Sequence, residues 1–233
     1  MLTLCTKLSD GVLSSMNLDT SECILCPGCL KVKICRIQQA FHSVVWDMSQ
    51  EEWNRGNISL NELLKKGQSE TRLCECEFCQ EKTTTKRTTV ISKSPQRLFI
   101  NLNRATRLDR DVANAQYFIH DEETLQDIIT YPVTCPRVLE YSVKTVSCEN
   151  STTPFHERTV RYSLQGVACV IIQQEHPNVQ CHYVCHCIDD EGKWVHYDDY
   201  ISKESDLFDE NQDEFVSNSV AALFYKRMTN SDV

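Results

Sequence analysis

Apolar residues along this chain recur at every second position or in short unbroken runs, the spacing of strands rather than of long helices. Residues 161–172, read Arg-Tyr-Ser-Leu-Gln-Gly-Val-Ala-Cys-Val-Ile-Ile, form the most apolar stretch and predict a strand. Residues 98–102, bounded by Pro95 and by polar residues, predict a second buried strand, and residues 219–226 a third. The Thr- and Val-rich stretch 83–91 carries interspersed basic residues and reads as a strand with one wet face. Residues 32–47 alternate irregularly and also read as strand. Around Tyr131, Pro132 and Pro136 permit an edge strand at best. Helix signals are brief. Ser49 with Glu52 has the form of an N-cap and its capping-box partner, and Ser59 precedes a short amphipathic segment through Leu64. The polar segments 105–128, 145–158 and 203–213 read as a solvated insertion and two loops. The implied class is α+β, dominated by antiparallel sheet.

One stretch stands apart. Residues 181–199 read Cys-His-Tyr-Val-Cys-His-Cys-Ile-Asp-Asp-Glu-Gly-Lys-Trp-Val-His-Tyr-Asp-Asp, two strands joined by a polar, glycine-containing turn. The hairpin brings His182, at the start of one strand, toward Asp198 and Asp199 at the end of the other. A histidine held by a carboxylate has its tautomer and ring orientation fixed and takes a proton through its other nitrogen. His186 and His196 read as ordinary residues of a solvated hairpin.

Composition narrows the field. The 233 residues carry a net charge of −9, which argues against a broad surface for a nucleic-acid backbone. No apolar run reaches membrane-span length, and the first residues lack a signal-peptide layout. The expectation is a soluble intracellular protein, cytoplasmic or nuclear, with neither nucleic acid nor membrane as partner. Fourteen cysteines are many for a chain in a reducing compartment. Clustered thiols there read as metal ligands or reactive groups.

Two C-x-x-C knuckles are present, Cys26-Pro27-Gly28-Cys29 and Cys76-Glu77-Phe78-Cys79. Four thiolates from two knuckles on separate hairpins make a tetrahedral zinc site of the ribbon type. Cys23, Cys35 and Cys74 lie close enough in sequence to exchange with a predicted ligand. Buried structural cysteines without metal and a redox C-x-x-C are the competing readings.

The run His182-Tyr183-Val184, Gly192-Lys193-Trp194, Tyr197-Asp198-Asp199 resembles the histidine box of the ubiquitin-specific proteases, cysteine proteases that act on ubiquitin conjugates. The paired knuckles, the segments 95–104 and 161–172 and the closing segment around Phe224 are similar to that family's fingers and palm strands. The resemblance implies His182 as general base, Asp198 as its orienter and Asp199 as helper. It implies zinc-binding fingers over about 20–92 and a palm over about 93–228, its sheet built from the strands around Leu98, Val167, Tyr183, Trp194 and Phe224. The family has glycine before the histidine, and this chain has Cys181. The family's nucleophile box, Gly-Asn-Thr-Cys-Tyr, does not occur in the sequence. Cys5 lacks its flanking residues, and Cys181, Cys185 and Cys187 share the strand of the base. The resemblance thus implies a truncated or inactive member that binds ubiquitin, with an incomplete thumb and a palm face left for another partner to cover. The alternatives are an active enzyme with an unconventional thiol and a zinc-ribbon interaction module with no link to ubiquitin.

Overall fold

The computed structural model describes residues 16, 18–39, 42–44, 50–66, 69–102, 131–146, 155–175, 178–205 and 212–229. The expectations placed on Cys5, Ser49 and the insertion 105–128 lie outside them.

Antiparallel sheet dominates. Four strands, β1 (Leu18–Leu25), β2 (Val32–Gln39), β5 (Ser69–Glu75) and β6 (Lys82–Lys93), form one sheet in the order β2-β1-β6-β5. It is two hairpins joined through β1 and β6, so both hairpin turns project from the same end. Between the hairpins run β3 (His42–Ser43), α1 (Gln50–Asn54), β4 (Ile58–Ser59) and α2 (Leu60–Lys66). Ser59 caps α2 as its sequence implies. The Glu62 amide donates to Ser59 Oγ at 3.2 Å, and the Ser59 amide donates back to the Glu62 carboxylate at 3.0 Å. Replacing Ser59 by alanine is expected to cost about 1 kcal/mol of stability, read from urea unfolding with an unchanged m-value.

The larger sheet contains β7 (Arg97–Asn101), β9 (Val138–Val146), β10 (Phe155–Glu175), β11 (Asn178–Ile188), β12 (Trp194–Asp198), β13 (Ile201–Glu204) and β15 (Val220–Arg227). Their order is β13-β12-β11-β10-β15-β7-β3, with β9 beside β10. The strands around Leu98, Val167, Tyr183, Trp194 and Phe224 therefore do share one sheet. The 21-residue β10 is its spine. Its first half pairs with β9 and its second with β11, while β15 overlaps both. Since β15 occupies one edge, β9 and β11 must succeed each other along the opposite one. The register slips between Leu164 and Gly166, where the handover occurs.

Two expectations fail here. Residues 145–158 contain strand at both ends, because β9 runs to Val146 and β10 starts at Phe155. The segment after Tyr131 holds a central strand. β8 (Val133–Pro136) lies between β4 and β14 (Glu214–Ser217) in a three-stranded sheet. Pro136 is tolerated because it is the last residue of β8, and the ladder continues through Arg137, whose amide donates to Asp213 at 2.8 Å.

One apolar core joins these parts. Leu60 and Leu63 of α2, Ile100 of β7, Leu139 of β9, Tyr162 and Val167 of β10 and Leu223 of β15 are fully buried, and Leu18 and Ile91 extend the cluster into the base of the four-stranded sheet. No described helix is long and apolar enough to cross a membrane.

Candidate functional site

The two knuckles meet at the tip of the four-stranded sheet. Each folds by the same local rule. The amide of Leu30 donates to the Cys26 carbonyl at 2.9 Å and the amide of Cys26 to the Lys31 carbonyl at 3.1 Å. Gln80 and Cys76 repeat this with 2.7 and 3.0 Å, the latter to the Glu81 carbonyl. Closing so tight a turn drives Leu30 and Gln80 to φ of 58° and 60°, the left-handed region that costs a side-chain-bearing residue about 1 kcal/mol. Both turns thus carry strain, and both aim two sulfurs inward.

The sulfurs converge. Cys26 and Cys79 Sγ lie 3.8 Å apart, Cys29 and Cys76 Sγ 3.7 Å, and all four fall within 4.8 Å of one another. Four thiolates around one ion at about 2.3 Å have tetrahedral edges of about 3.8 Å, so the cluster has the dimensions of a metal site. Cys76 is prepared for it: the amides of Cys79 and Phe78 donate to its sulfur and lower the thiol to about 7. Lys33 pairs with Glu77 across the two hairpins. Of the nearby thiols, Cys74 bonds Thr85 Oγ1 at 3.0 Å instead, and neither Cys23 nor Cys35 joins the cluster.

On the large sheet, β11 and β12 form the predicted hairpin, with His186 opposite His196 and Cys185 opposite Tyr197. Asp189 organises the turn: its carboxylate accepts from the amides of Glu191 at 2.9 Å and Lys193 at 2.8 Å. Gly192 takes φ 83°, open to glycine without cost. The closed turn fixes the register, and the register sets His182 near Asp198. His182 Nε2 meets Asp198 Oδ1 at 2.5 Å, with both side chains about one-third exposed. Asp199 leaves the strand at φ 49°, which keeps its carboxylate beside the pair instead of on the opposite face.

The hydrogen bond to Asp198, with the charges of Asp198 and Asp199 adding, raises the His182 pKa above its ordinary value. With Nε2 committed to the carboxylate, Nδ1 is the atom left to exchange a proton with a reacting group. Asp198→Asn should bring the His182 pKa down toward 6.5 in an NMR titration; an unchanged value would show that the carboxylate does not control the ring.

Sequence reasoning missed a second network on this hairpin. His186 is buried, its Nδ1 lies 2.6 Å from Ser205 Oγ, and its Nε2 lies 3.3 Å from His196 Nδ1. Two histidines at equivalent places on adjacent strands were the available signal. Cys185 and Cys187 alternate to the face opposite His182, so neither reaches it. The Cys181 side chain and Cys5 lie outside the described residues.

Comparison with known proteins finds the same fold among solved structures. The solved structures similar in fold include the "SAGA Ubp8/Sgf11/Sus1/Sgf73 DUB module bound to ubiquitin aldehyde", at a TM-score of 0.61 and 17% identity, covering 97% of this chain and 44% of that one. Another is a SAGA DUB module of the same four subunits, with a substituted Ubp8, bound to monoubiquitin, at a TM-score of 0.57 and 16% identity, covering 96% and 43%. A third is the yeast SAGA DUBm with a mutant Sgf73, at 0.58 and 16%, covering 94% and 42%. The chain thus spans less than half the length of these neighbours. No curated protein matches its sequence. The model of the ubiquitin carboxyl-terminal hydrolase family matches residues 6–225, and the chain belongs to that family.

Proposed function

We propose that this chain recognises ubiquitin through its fingers and palm and holds the base and orienter of a deubiquitinase, without hydrolysing isopeptide bonds by itself. The carrying observation is the His182–Asp198 pair, one-third exposed on the sheet, with Nδ1 uncommitted. In this reading His182 takes a thiol proton at Nδ1, Asp198 holds the ring, and Asp199 adds to the field that favours the imidazolium. The missing component is a thiolate within reach of Nδ1. The sequence contains no Gly-Asn-Thr-Cys box, and no thiol described here bonds His182.

Cys26, Cys29, Cys76 and Cys79 hold a structural zinc ion, which closes the fingers and takes no part in chemistry. The sulfur separations support this assignment. The fingers span about 20–92 and the palm about 93–228.

Two measurements test the reading. Labelled ubiquitin titrated with the purified chain should show saturable chemical-shift changes. Ubiquitin bearing a C-terminal electrophile should form no adduct. An adduct would assign the nucleophile to a thiol outside the family box. Absence of ubiquitin binding, with zinc retained in the fingers, would leave a zinc-ribbon interaction module.

A further inference from the structure

Cys185 and Cys187 have no role in that reading, because they face away from His182. Strand periodicity sets them side by side on one face of β11, with Ala168 opposite Cys185 and Gly166 opposite Cys187. The neighbouring strand therefore offers them very little bulk. A Cβ at position 166 would come within 3.1 Å of Cys187 Sγ, so glycine is what lets that sulfur settle. Both thiols are half-buried and neither is in a disulfide. Their rim is apolar. Tyr197 stands across from Cys185, Phe224 across from Gly166, and Tyr183 two residues before Cys185. These rings are 43%, 39% and 61% exposed, so the thiol pair lies within reach of solvent.

The thiols also act on one another. Cys187, donating toward Cys185, lowers the latter to about 7, while its own proton is held more tightly. Among the described residues no His, Asp or Glu joins them in a group of three. An ion that demands four ligands is poorly served by such a pair. A soft monovalent ion satisfied by two thiolates is well served, and apolar surroundings suit its low charge.

We propose that Cys185 and Cys187 form a chelating dithiol site for Cu(I) on the palm face opposite the His182–Asp198 pair. Binding breaks two S–H bonds, forms two Cu–S bonds and releases two protons to water. Copper enters and remains as Cu(I), so no electron is transferred.

The test titrates the reduced, zinc-loaded chain anaerobically with Cu(I) buffered by a bathocuproine chelator, counting both metals by native mass spectrometry. The first equivalent of copper is expected to bind with zinc retained, and the Cys185→Ser/Cys187→Ser double variant to take up one equivalent fewer. Equal uptake by both proteins, or zinc lost from the first addition, overturns the site. A second measurement needs no variant. Phenylarsine oxide bridges paired thiols, so digestion of the treated natural protein should yield one arsenic on the peptide carrying positions 185 and 187, and prior Cu(I) should block it. Arsenic found only on other cysteines, or labelling indifferent to copper, overturns the proposal even if the double variant fails to fold.

Discussion

If the four-sulfur cluster holds the proposed zinc ion, Cys76→Ser or treatment with a strong chelator should unfold the outer half of the four-stranded sheet while the large sheet keeps its ladder. The reason lies in what the outer half buries. Leu18 and Ile91 belong to the main core, but toward the tip the buried side chains are Val90, Cys23, Cys26 and Cys76 with Thr20, Ser21 and Thr85. The edge strands waste their apolar residues on solvent: Val32 and Ile34 of β2 are 43% and 41% exposed, and Leu73 of β5 is 67% exposed. A single-layer sheet with so little core cannot offset the entropy of ordering its chain. The strain at Leu30 and Gln80 adds to the deficit. Structural zinc binding is worth on the order of 10 kcal/mol at neutral pH, enough to decide whether the tip folds. Hydrogen exchange checks this. Amides of β1, β2, β5 and β6 near the knuckles should lose protection in the metal-free protein or in Cys76→Ser, and those of β10 and β15 should not. Cys35→Ser, outside the four-sulfur cluster, should leave the pattern unchanged. Full protection at a metal-free tip would remove the metal from the account of the fold.

The parts of the site legible in the sequence were those set by short-range geometry. A C-x-x-C knuckle and a polar two-strand turn each fold within a few residues, so each knuckle aims its own two sulfurs and His182 meets Asp198 once its hairpin forms; the long-range pairing of β1 with β6 then brings the two knuckles together. What was not legible depends on distant partners. Nothing local in residues 155–160 distinguishes a loop from the start of a strand, because β9 supplies the pairing that settles it. β8 differs from its sequence reading for a similar reason: the prolines around it argue for an edge, but β4 and β14 pair on either side and place it in the middle of a sheet. The His186–Ser205 contact joins β11 to the residue after β13, and only the register of three strands brings it about.

Acid should weaken the fold through His42, a residue that composition and motif leave unremarked. His42 sits on β3, paired in parallel with Ile100 of β7, and its Nδ1 lies 2.8 Å from the Tyr141 hydroxyl. Tyr141 in turn meets Tyr162 edge to face, deep in the core. Burial lowers His42 to about 4 and raises the Tyr141 phenol, so at neutral pH both are uncharged and share one neutral hydrogen bond. In the unfolded chain the same histidine titrates near 6.5. Above that value neither state holds the extra proton and stability is indifferent to pH. As pH falls from about 6.5 toward about 4, the unfolded chain binds a proton that the folded one refuses, and stability declines. Across the whole window the loss from this one group is about 3 kcal/mol. His182 runs the other way, since its raised pKa favours the folded state at low pH and the benefit fades as pH rises through that value. Its partial exposure to solvent keeps that opposing contribution small. Urea unfolding at a series of pH values should therefore show a decline below about pH 6.5 that His42→Phe flattens. The variant should be less stable than the natural protein at about pH 7, where Tyr141 loses its hydrogen-bond partner, and should close the gap as pH approaches about 4. An unaltered slope in the variant would assign the acid sensitivity to other groups and leave the His42–Tyr141 contact a purely structural one.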